Sequence, residues 1–430
     1  MTSGQKLGRP FWVFWSAVTA TNVGDGIRLV ALPLLATQVT EDPGLIALVT
    51  VFTYVPALLF GQVAGVFVDR VRKRRLIALS QVGRAVVLAV VAVAIALGML
   101  DIVMLCAAAF LYGAGEAVSD PASHAILPRL VAANDLGRAN SDLQSGQVVG
   151  EMFVGRALGG TLFAVAQPLP IIANVLLLVV AALALVLLGE VEGAPETAAP
   201  DRAGGRIRNF FGDLAEGIRV VTHSRLLGVM SLLLAVWAGV SGAFWGVAAI
   251  YALRDLQSGE IGFGIMLALA AVGSLAGSRT AIQVIRRLGA PSAAVISVLV
   301  SGVSIIALTW TRDLWLASLL LAFNGAAVTL WNVMTITIRQ ATVEPHLLGR
   351  VSSTYLVLAR IALPVGAGLA GLLATVTDAP TVFLVFGGVL LAASAVLLPM
   401  LWKAFGESWP RGQASAQKVD DYLSASSTRG

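Results

Sequence analysis

Several acidic and basic side chains of this chain lie within long apolar segments. Their types and spacing suit the reversible binding of protons and charged ligands. A charged side chain in a bilayer is costly, so each one requires a partner or a function. All of the acids of this kind lie in the first half of the 430-residue sequence. The set comprises Asp25, Glu116, Asp120, Glu151, Arg28, Arg84, Arg156, Arg279 and Arg360.

Asp25 and Arg28 are three residues apart and share one helix face, with Asn22 one turn earlier. An acid desolvated in a cavity binds protons more tightly and a nearby arginine opposes this, so Asp25 is a candidate proton carrier. Arg28 is then its counter-charge or a ligand contact, and Asn22 a further ligand contact. The alternative is a self-neutralising pair that only fixes helix packing. The sequence leaves both open.

Glu116 and Asp120 are four residues apart and share a face of another helix. Glu116 is near the middle of its segment and is a second candidate for proton binding. Asp120 is about 6 Å nearer the end of the segment. We expect it to pair with the basic turn at 72–75 or with Arg84 as a gating contact.

Glu151 and Arg156 lie in a glycine-rich segment, 150–160. Glu151 is a third candidate for proton binding, and Arg156 either pairs with it or meets an anionic ligand. In the second half of the chain, aromatic and amide side chains suit a large amphipathic ligand, although packing is the alternative for each of them. These residues are Trp237, Trp245, Asn324 and Trp331.

The composition excludes several other classes of protein. Apolar residues make up 57% and charged residues 12%, about half the charged fraction of a soluble protein. The three histidines show no metal-ligand spacing, the chain has no phosphate loop, and Cys106 is the only cysteine. The sequence therefore predicts a membrane protein that is not an enzyme, with no cofactor, no metal and no nucleic acid partner.

Twelve apolar runs are each long enough to cross a hydrocarbon layer of ~30 Å, which predicts an all-α polytopic membrane protein. Of the basic residues, 22 lie in segments on the side of the termini, and only Arg254 and Arg312 lie in the opposite loops. The positive-inside rule therefore puts both termini in the cytoplasm. The runs are 11–38, 44–68, 76–100, 102–127, 139–166, 168–189, 226–252, 260–284, 291–311, 314–338, 351–377 and 380–402.

An internal repeat relates the two halves of the chain, because landmarks of the first half recur in the second half at one constant offset in residue number. They include Asp101 with Asp313, Gly113 with Gly325, and 136–138 with 348–350. The repeat predicts two pseudo-symmetric six-helix halves. The expected organisation is a first half at 1–189, a cytoplasmic linker with an amphipathic helix at 190–225, a second half at 226–403 and a disordered tail at 404–430.

The stretch from Gly65 to Arg75, in which Asp69-Arg70 and a basic run follow the glycine, resembles the loop between helices 2 and 3 of the major facilitator superfamily. Asp69 is expected to meet the start of the eleventh span, where free backbone amides attract an anion. The alternative is that the basic residues only set topology. The expected gating residues are Gly65, Asp69, Arg70, Arg74, Arg75, Asp120 and Arg350.

Further segments look like the superfamily branch that contains macrolide and multidrug exporters and the enterobactin exporter. They are Asn22-Val-Gly-Asp-Gly26, Asp120-Pro121, Leu136-Gly-Arg-Ala-Asn140 and Leu348-Gly-Arg-Val351. Segment 150–160 also resembles the glycine-rich signature of antiporters, in which Gly-Pro precedes a spaced Gly-Gly. Here Arg156 replaces the proline, which removes a kink, adds a charge and weakens the antiporter inference.

The resemblance implies the major facilitator fold and a secondary transporter that exports an amphipathic drug or natural product across the cytoplasmic membrane by proton antiport. Its partners are then the small molecule, the proton and the lipid bilayer, and the protein is expected to be a monomer. The alternatives are an exporter of an anionic siderophore or secondary metabolite steered by Arg28 and Arg156, a lysophospholipid transporter, and a non-transporting membrane sensor or scaffold.

Overall fold

The computed structural model describes residues 7–61, 73–188, 203–344 and 346–408, and within these ranges the chain is helical with no strand. The predicted all-α class is therefore confirmed. The helices, numbered in chain order, are α1 Arg9–Val39, α2 Pro43–Leu59, α3 Lys73–Ala96, α4 Ile102–Leu130, α5 Leu136–Val165, α6 Leu169–Leu187, α7 Ala203–His223, α8 Arg225–Asp255, α9 Gly259–Ala307, α10 Leu314–Thr342, α11 Leu348–Val376 and α12 Ala379–Ser408.

Nine helical segments of the described ranges are long and apolar enough to cross a membrane. One of them contains α9, whose 49 residues would be too long for a single straight span. Its helix breaks at Gly289, where φ is 80° and ψ is 157°, a left-handed φ that glycine adopts readily. This break falls between the eighth and ninth predicted spans. Each of the twelve predicted spans overlaps a helical segment, and the count of twelve stays a prediction.

Four aspartates in the loops cap the helices that follow them, which are α2, α4, α10 and α12. The carboxylates of Asp101 and Asp313 accept hydrogen bonds from backbone N–H groups at 2.7 and 2.8 Å. Asp42 and Asp378 do the same, and the hydrogen bonds from Thr381 hold the pKa of Asp378 below its usual range. Because Asp101 and Asp313 are equivalent positions of the two halves, the repeat seen in the sequence extends to helix capping.

Each of the two halves of the chain also contains a place where two helices cross at close range. Helices α1 and α5 meet at Gly26 and Gly155, where a Cβ on Gly155 would lie 2.7 Å from the Cα of Gly26. Helices α8 and α11 meet in the same way, since a Cβ on Gly246 would lie 3.0 Å from the carbonyl oxygen of Ala367. Small residues let the helix backbones approach, as is typical of packing in membranes.

The described residues form two compact units. The first unit lies within 1–208 and Gln257–Ala268, and the second lies within Asn209–Leu256 and 269–430. In the first unit α1 packs on α5 and α6, and α3 packs on α4 and α6. In the second, α8 packs on α11 and α12. The predicted boundaries at 189, 225 and 403 stay predictions, and the tail beyond 408 lies outside the described residues.

Candidate functional site

A buried carboxylate on α1, that of Asp25, forms the core of a polar site in the first unit. Its Oδ1 atom accepts hydrogen bonds from Arg84 Nη2 on α3 and, at 2.8 Å, from the Tyr112 hydroxyl on α4. Asp25 is 7% exposed and Arg84 is 1% exposed. Each charge therefore depends on the other for much of its stabilisation, because both are largely removed from solvent.

A second ion pair joins α1 to α4. Arg28 Nη2 donates to Glu116 Oε2 at 2.9 Å. The ring of Tyr112 lies against both guanidiniums, with the Cζ atoms of Arg28 and Arg84 at 4.4 and 4.0 Å from its centroid, so cation–π attraction supports both ion pairs. Asp25 and Arg28, which share a helix face in the sequence, thus each take a partner on a different helix.

Amide and hydroxyl side chains orient these charged groups. Arg84 Nη1 donates to Gln81 Oε1 at 2.9 Å, and Gln81 Nε2 donates to Thr21 Oγ1 at 3.0 Å. Asn174 Nδ2 on α6 donates to the carbonyl oxygen of Gly24 at 2.7 Å. The network therefore ties α1 to α3 and α6 and fixes the direction of the Arg84 side chain.

Glu151 and Arg156 form a third ion pair within α5, at 3.9 Å between Glu151 Oε1 and Arg156 Nη2. Gln147 Nε2 also donates to the Glu151 carboxylate, at 3.5 Å. The helix is π-helical over Val148–Gly155. Such turns insert a residue into a helix and often occur at functional sites. Arg156 was predicted either to pair with Glu151 or to meet an anionic ligand, and in this structure it pairs with Glu151.

The acids of these ion pairs border a polar cavity of about 160 Å³ that α1, α3, α4 and α5 line. Its walls include the side chains of Asn22, Asp25, Glu116, Asp120 and Glu151. Small-molecule sites usually enclose about 300–1,000 Å³. The cavity within the first unit is thus large enough for a ligand head group or a few waters. Within the described ranges, no group of three or more His, Cys, Asp and Glu side chains could hold a metal ion.

Asp120 is in a different position from the other acids of the cavity. It was predicted to pair with Arg84 or with the 72–75 turn, but Arg84 pairs with Asp25. Among the described residues Asp120 forms no ion pair, and its side chain is exposed and borders the cavity.

The aromatic residues predicted to contact a ligand lie in the second unit. Trp237 on α8 and Trp331 on α10 pack on each other with ring centroids 5.4 Å apart, and they are 4% and 2% exposed. Trp245 is half-buried, and Asn324 accepts a hydrogen bond from Ser301 Oγ at 2.6 Å. In this structure, therefore, only Trp245 and Asn324 of the four predicted contacts keep appreciable exposure.

Two residues of the predicted gating turn lie at the start of α3. Arg74 Nη1 donates to the carbonyl oxygen of Val186 at 3.1 Å, which satisfies a free carbonyl at the end of α6. Arg75 is exposed. The gating residues that fall outside the described residues are Gly65, Asp69 and Arg70.

Arg350, the predicted gating residue at the start of α11, is held by the linker helix α7. Its Nη1 atom donates to Glu216 Oε2 at 2.5 Å. One residue further along α7, a Cβ on Gly217 would lie 2.5 Å from the carbonyl oxygen of Arg350. The second unit thus includes α7 from Asn209 onward as a packed element.

The predictions from sequence omitted two central residues, Tyr112 and Asn174. The repeat contained a signal for the first, because Tyr112 is the first-half equivalent of Asn324, which was predicted to contact a ligand. Asn174 is an isolated amide in an apolar run and gave no comparable signal. Arg279, which the sequence places within an apolar run, is exposed in this structure.

The helical fold is that of a membrane transporter of the major facilitator type, as solved structures show. The nucleoside transporter NupG aligns with a TM-score of 0.73 at 14% identity, over 91% of this chain and 99% of that chain. A bacterial homologue of the iron transporter ferroportin aligns with a TM-score of 0.70 at 16% identity, over 93% and 99%. Likeness at this level of identity shows the fold alone.

The family follows from the sequence itself. Residues 8–427 match the family of transmembrane secretion effectors, and the chain belongs to this family within the major facilitator superfamily. It is therefore a multi-pass membrane transporter and not an enzyme. The multidrug efflux pump Tap of Mycolicibacterium fortuitum is 27% identical over 92% of this chain and 97% of its own. Macrolide efflux protein A of Streptococcus pyogenes is 23% identical over 91% and 95%.

Proposed function

We propose that this transporter exports an amphipathic organic compound, a drug or natural product, from the cytoplasm in exchange for protons. The observation that carries the proposal is the polar cavity among the helices of the first unit, because titratable acids inside a membrane bundle mark proton and substrate pathways. The efflux direction is supported by the names of two relatives, a multidrug efflux pump and a macrolide efflux protein.

The proposed mechanism is alternating access, in which one half of the bundle rocks against the other around a central substrate. Protons exchange at the carboxylates of the cavity, which include the predicted proton carriers Asp25, Glu116 and Glu151. The proposed substrate contacts are Asn22, Arg28, Arg156, Trp237, Trp245, Asn324 and Trp331. The proposed gating residues remain Gly65, Asp69, Arg70, Arg74, Arg75, Asp120 and Arg350, in a monomer with both termini in the cytoplasm.

The main alternative, export of an anionic siderophore or metabolite, has weaker support. It would use Arg28 and Arg156 to hold the anion. Both guanidiniums already contact carboxylates, at 2.9 and 3.9 Å, so an anion would have to displace an acid of the protein. No specific feature of the described residues favours lysophospholipid transport or a sensor.

The test is transport by purified protein in liposomes, with and without an imposed pH gradient, across a panel of macrolides, cationic dyes and siderophores. We expect one class to move against its gradient only when protons flow the opposite way, with protein-free liposomes as the control. Movement that is indifferent to the pH gradient would remove the proton from the mechanism. Movement of siderophores alone would favour the anionic alternative.

A further inference from the structure

The charges around the cavity do not balance. The described part of the first unit brings three arginines and four acids together there, and each arginine contacts one acid, which leaves one acid over. The three ion pairs are Arg84 with Asp25, Arg28 with Glu116, and Arg156 with Glu151. The acid that remains is Asp120.

The position of Asp120 makes it available to a ligand. It lies one turn from Glu116 on α4, on the same helix face. Its side chain borders the cavity, and among the described residues it has no ion pair or hydrogen bond with another side chain. Among the described residues, Asp120 is thus the acid of the site that no guanidinium contacts.

The net charge of this site determines what can bind there. Arginine stays protonated in proteins, so the three positive charges are constant. With all four acids ionised and His124 neutral, the described part of the site has one excess negative charge. One proton or one monovalent cation restores neutrality, whereas both together leave an excess positive charge. Because a protonated carboxylate no longer attracts a cation, the proton and the cation compete for the unpaired acid.

The three paired acids are poorer places for the proton. Protonation of Asp25, for example, would leave the guanidinium of Arg84 charged and 1% exposed, without its partner. Breaking a buried ion pair in this way is strongly unfavourable. Protonation of Asp120 breaks no ion pair of the described residues.

We propose that Asp120 is the residue at which the proton and the positive charge of the substrate compete, and that the substrates are monocationic amphiphiles with a quaternary or protonated amine. In the exchange, a proton binds the Asp120 carboxylate and the ammonium group leaves it, with no covalent bond to the substrate formed or broken. This inference rests on the proposed proton-coupled export. It makes Asp120, in place of Asp25, Glu116 and Glu151, the acid that couples proton and substrate. It also disfavours anionic substrates, which would add a second negative charge.

Binding by the purified protein in lipid nanodiscs tests the proposal. The probe is radiolabelled benzyldodecyldimethylammonium, which has a compact cationic head and an apolar chain, and the matched neutral compound is N-benzyl-N-dodecylacetamide. Empty nanodiscs give the background. For the wild type we expect saturable ammonium binding at pH 8.5 that weakens on acidification, by up to about tenfold per pH unit, the limit for competition with one proton. Binding of the neutral amide should not change with pH.

Asp120→Asn should weaken ammonium binding at pH 8.5 by about tenfold to a hundredfold and abolish its pH dependence, because the charge that attracts the cation is lost. Asp120→Glu should retain both. The matched control is Asp135→Asn, which removes an acid that is not in the cavity wall. Since His124 also borders the cavity, His124→Gln should keep the pH dependence. The other charged groups near Asp120 are Glu116 on α4, Asp25 and Arg28 on α1, Arg84 on α3, and Glu151 and Arg156 on α5.

Two outcomes would overturn the proposal. One is wild-type protein that shows no saturable binding of the ammonium probe. The other is Asp120→Asn protein that is folded, judged by binding of the neutral amide, and keeps the wild-type affinity and pH dependence. The proposed function fails separately: gradient-independent transport with pH-competitive binding at Asp120 would contradict export by proton exchange and leave the assignment of Asp120 standing.

Discussion

Arg84 is the residue on which the arrangement of charges in the first unit most depends. It is among the largest fully buried side chains of the described residues, and it contacts Asp25, Gln81 and the ring of Tyr112. These contacts come from α1, from α3 itself and from α4. A change at Arg84 should therefore act on the stability of the unit as well as on transport.

We predict that Arg84→Met destabilises the protein by about 3 kcal/mol, because Asp25 remains buried without its partner. Adding Asp25→Asn should recover much of the loss, since the unpaired charge is then removed. Thermal unfolding can be followed with a thiol-reactive dye, for which Cys106, the only cysteine, is the reporter.

Arg75→Met is the matched control for this prediction, because Arg75 is an exposed arginine on the same helix. It should unfold within about a degree of the wild type, as surface substitutions usually do. Equal unfolding temperatures for the Arg84 and Arg75 variants would show that the buried ion pair contributes nothing to stability.

At this scale the sequence identifies the buried acids and arginines but not their partners. Asp25 and Arg28 share a helix face because they are three residues apart, and this suggested that they pair with each other. Their actual partners depend on how closely α3 and α4 approach α1. Packing between helices sets that distance, and it cannot be predicted from the spacing of residues along one helix.

At the scale of the elements, the linker helix α7 approaches α11 most closely at a small residue, Gly217. Gly217 faces the carbonyl oxygen of Arg350 and the hydroxyl of Thr354. The ion pair between Glu216 and Arg350 lies beside it. Exposed ion pairs contribute little, so the close approach at Gly217 should be the more important contact.

We predict that Gly217→Ala releases α7 from α11, because the added Cβ would lie 2.5 Å from the Arg350 carbonyl oxygen. Gly212→Ala is the control on the same helix, since its Cβ would meet nothing within 4 Å. Both changes raise helix propensity by the same amount. Hydrogen exchange of the backbone amides of α7 should therefore become faster in the first variant and slower in the second. Unchanged exchange in Gly217→Ala would mean that the contact does not hold the helix.

The positions of the helices could be predicted from apolar runs and loop charges, and every predicted span overlaps a helix. The π-helical turn at Val148–Gly155 could not, because its hydrogen-bond pattern depends on local packing and not on hydropathy. Two glycines of this region lie at close helix contacts, Gly155 against Gly26 of α1 and Gly160 against Gly264 of α9.

At the scale of the molecule, the repeat provides two similar helical scaffolds with different chemistry. The offset that relates Asp101 to Asp313 also relates Asp25 in the first unit to Trp237 in the second. The first position holds a charged network, and the second holds a buried aromatic pair with Trp331. The repeat could be predicted from loop landmarks, because these preserve helix starts such as those capped by Asp101 and Asp313. This difference suits a transporter in which the first unit binds the charged groups of its ligands and the second unit binds their apolar surface.

The orientation of the whole chain gives the last prediction. In the predicted twelve-span topology, 22 basic residues lie on the side of the termini and two lie in the opposite loops. Retention of positive charge in the cytoplasm should then determine the orientation. In a Cys106→Ala background, Thr377→Cys places a thiol in the exposed loop before α12, and Ser424→Cys places one in the C-terminal tail. In intact bacterial cells a membrane-impermeant maleimide should label the first and not the second, and permeabilisation should make the second reactive. The reverse pattern would contradict the orientation and, with it, the direction of export, because a cavity that loads from the cytoplasm in one orientation loads from outside in the other.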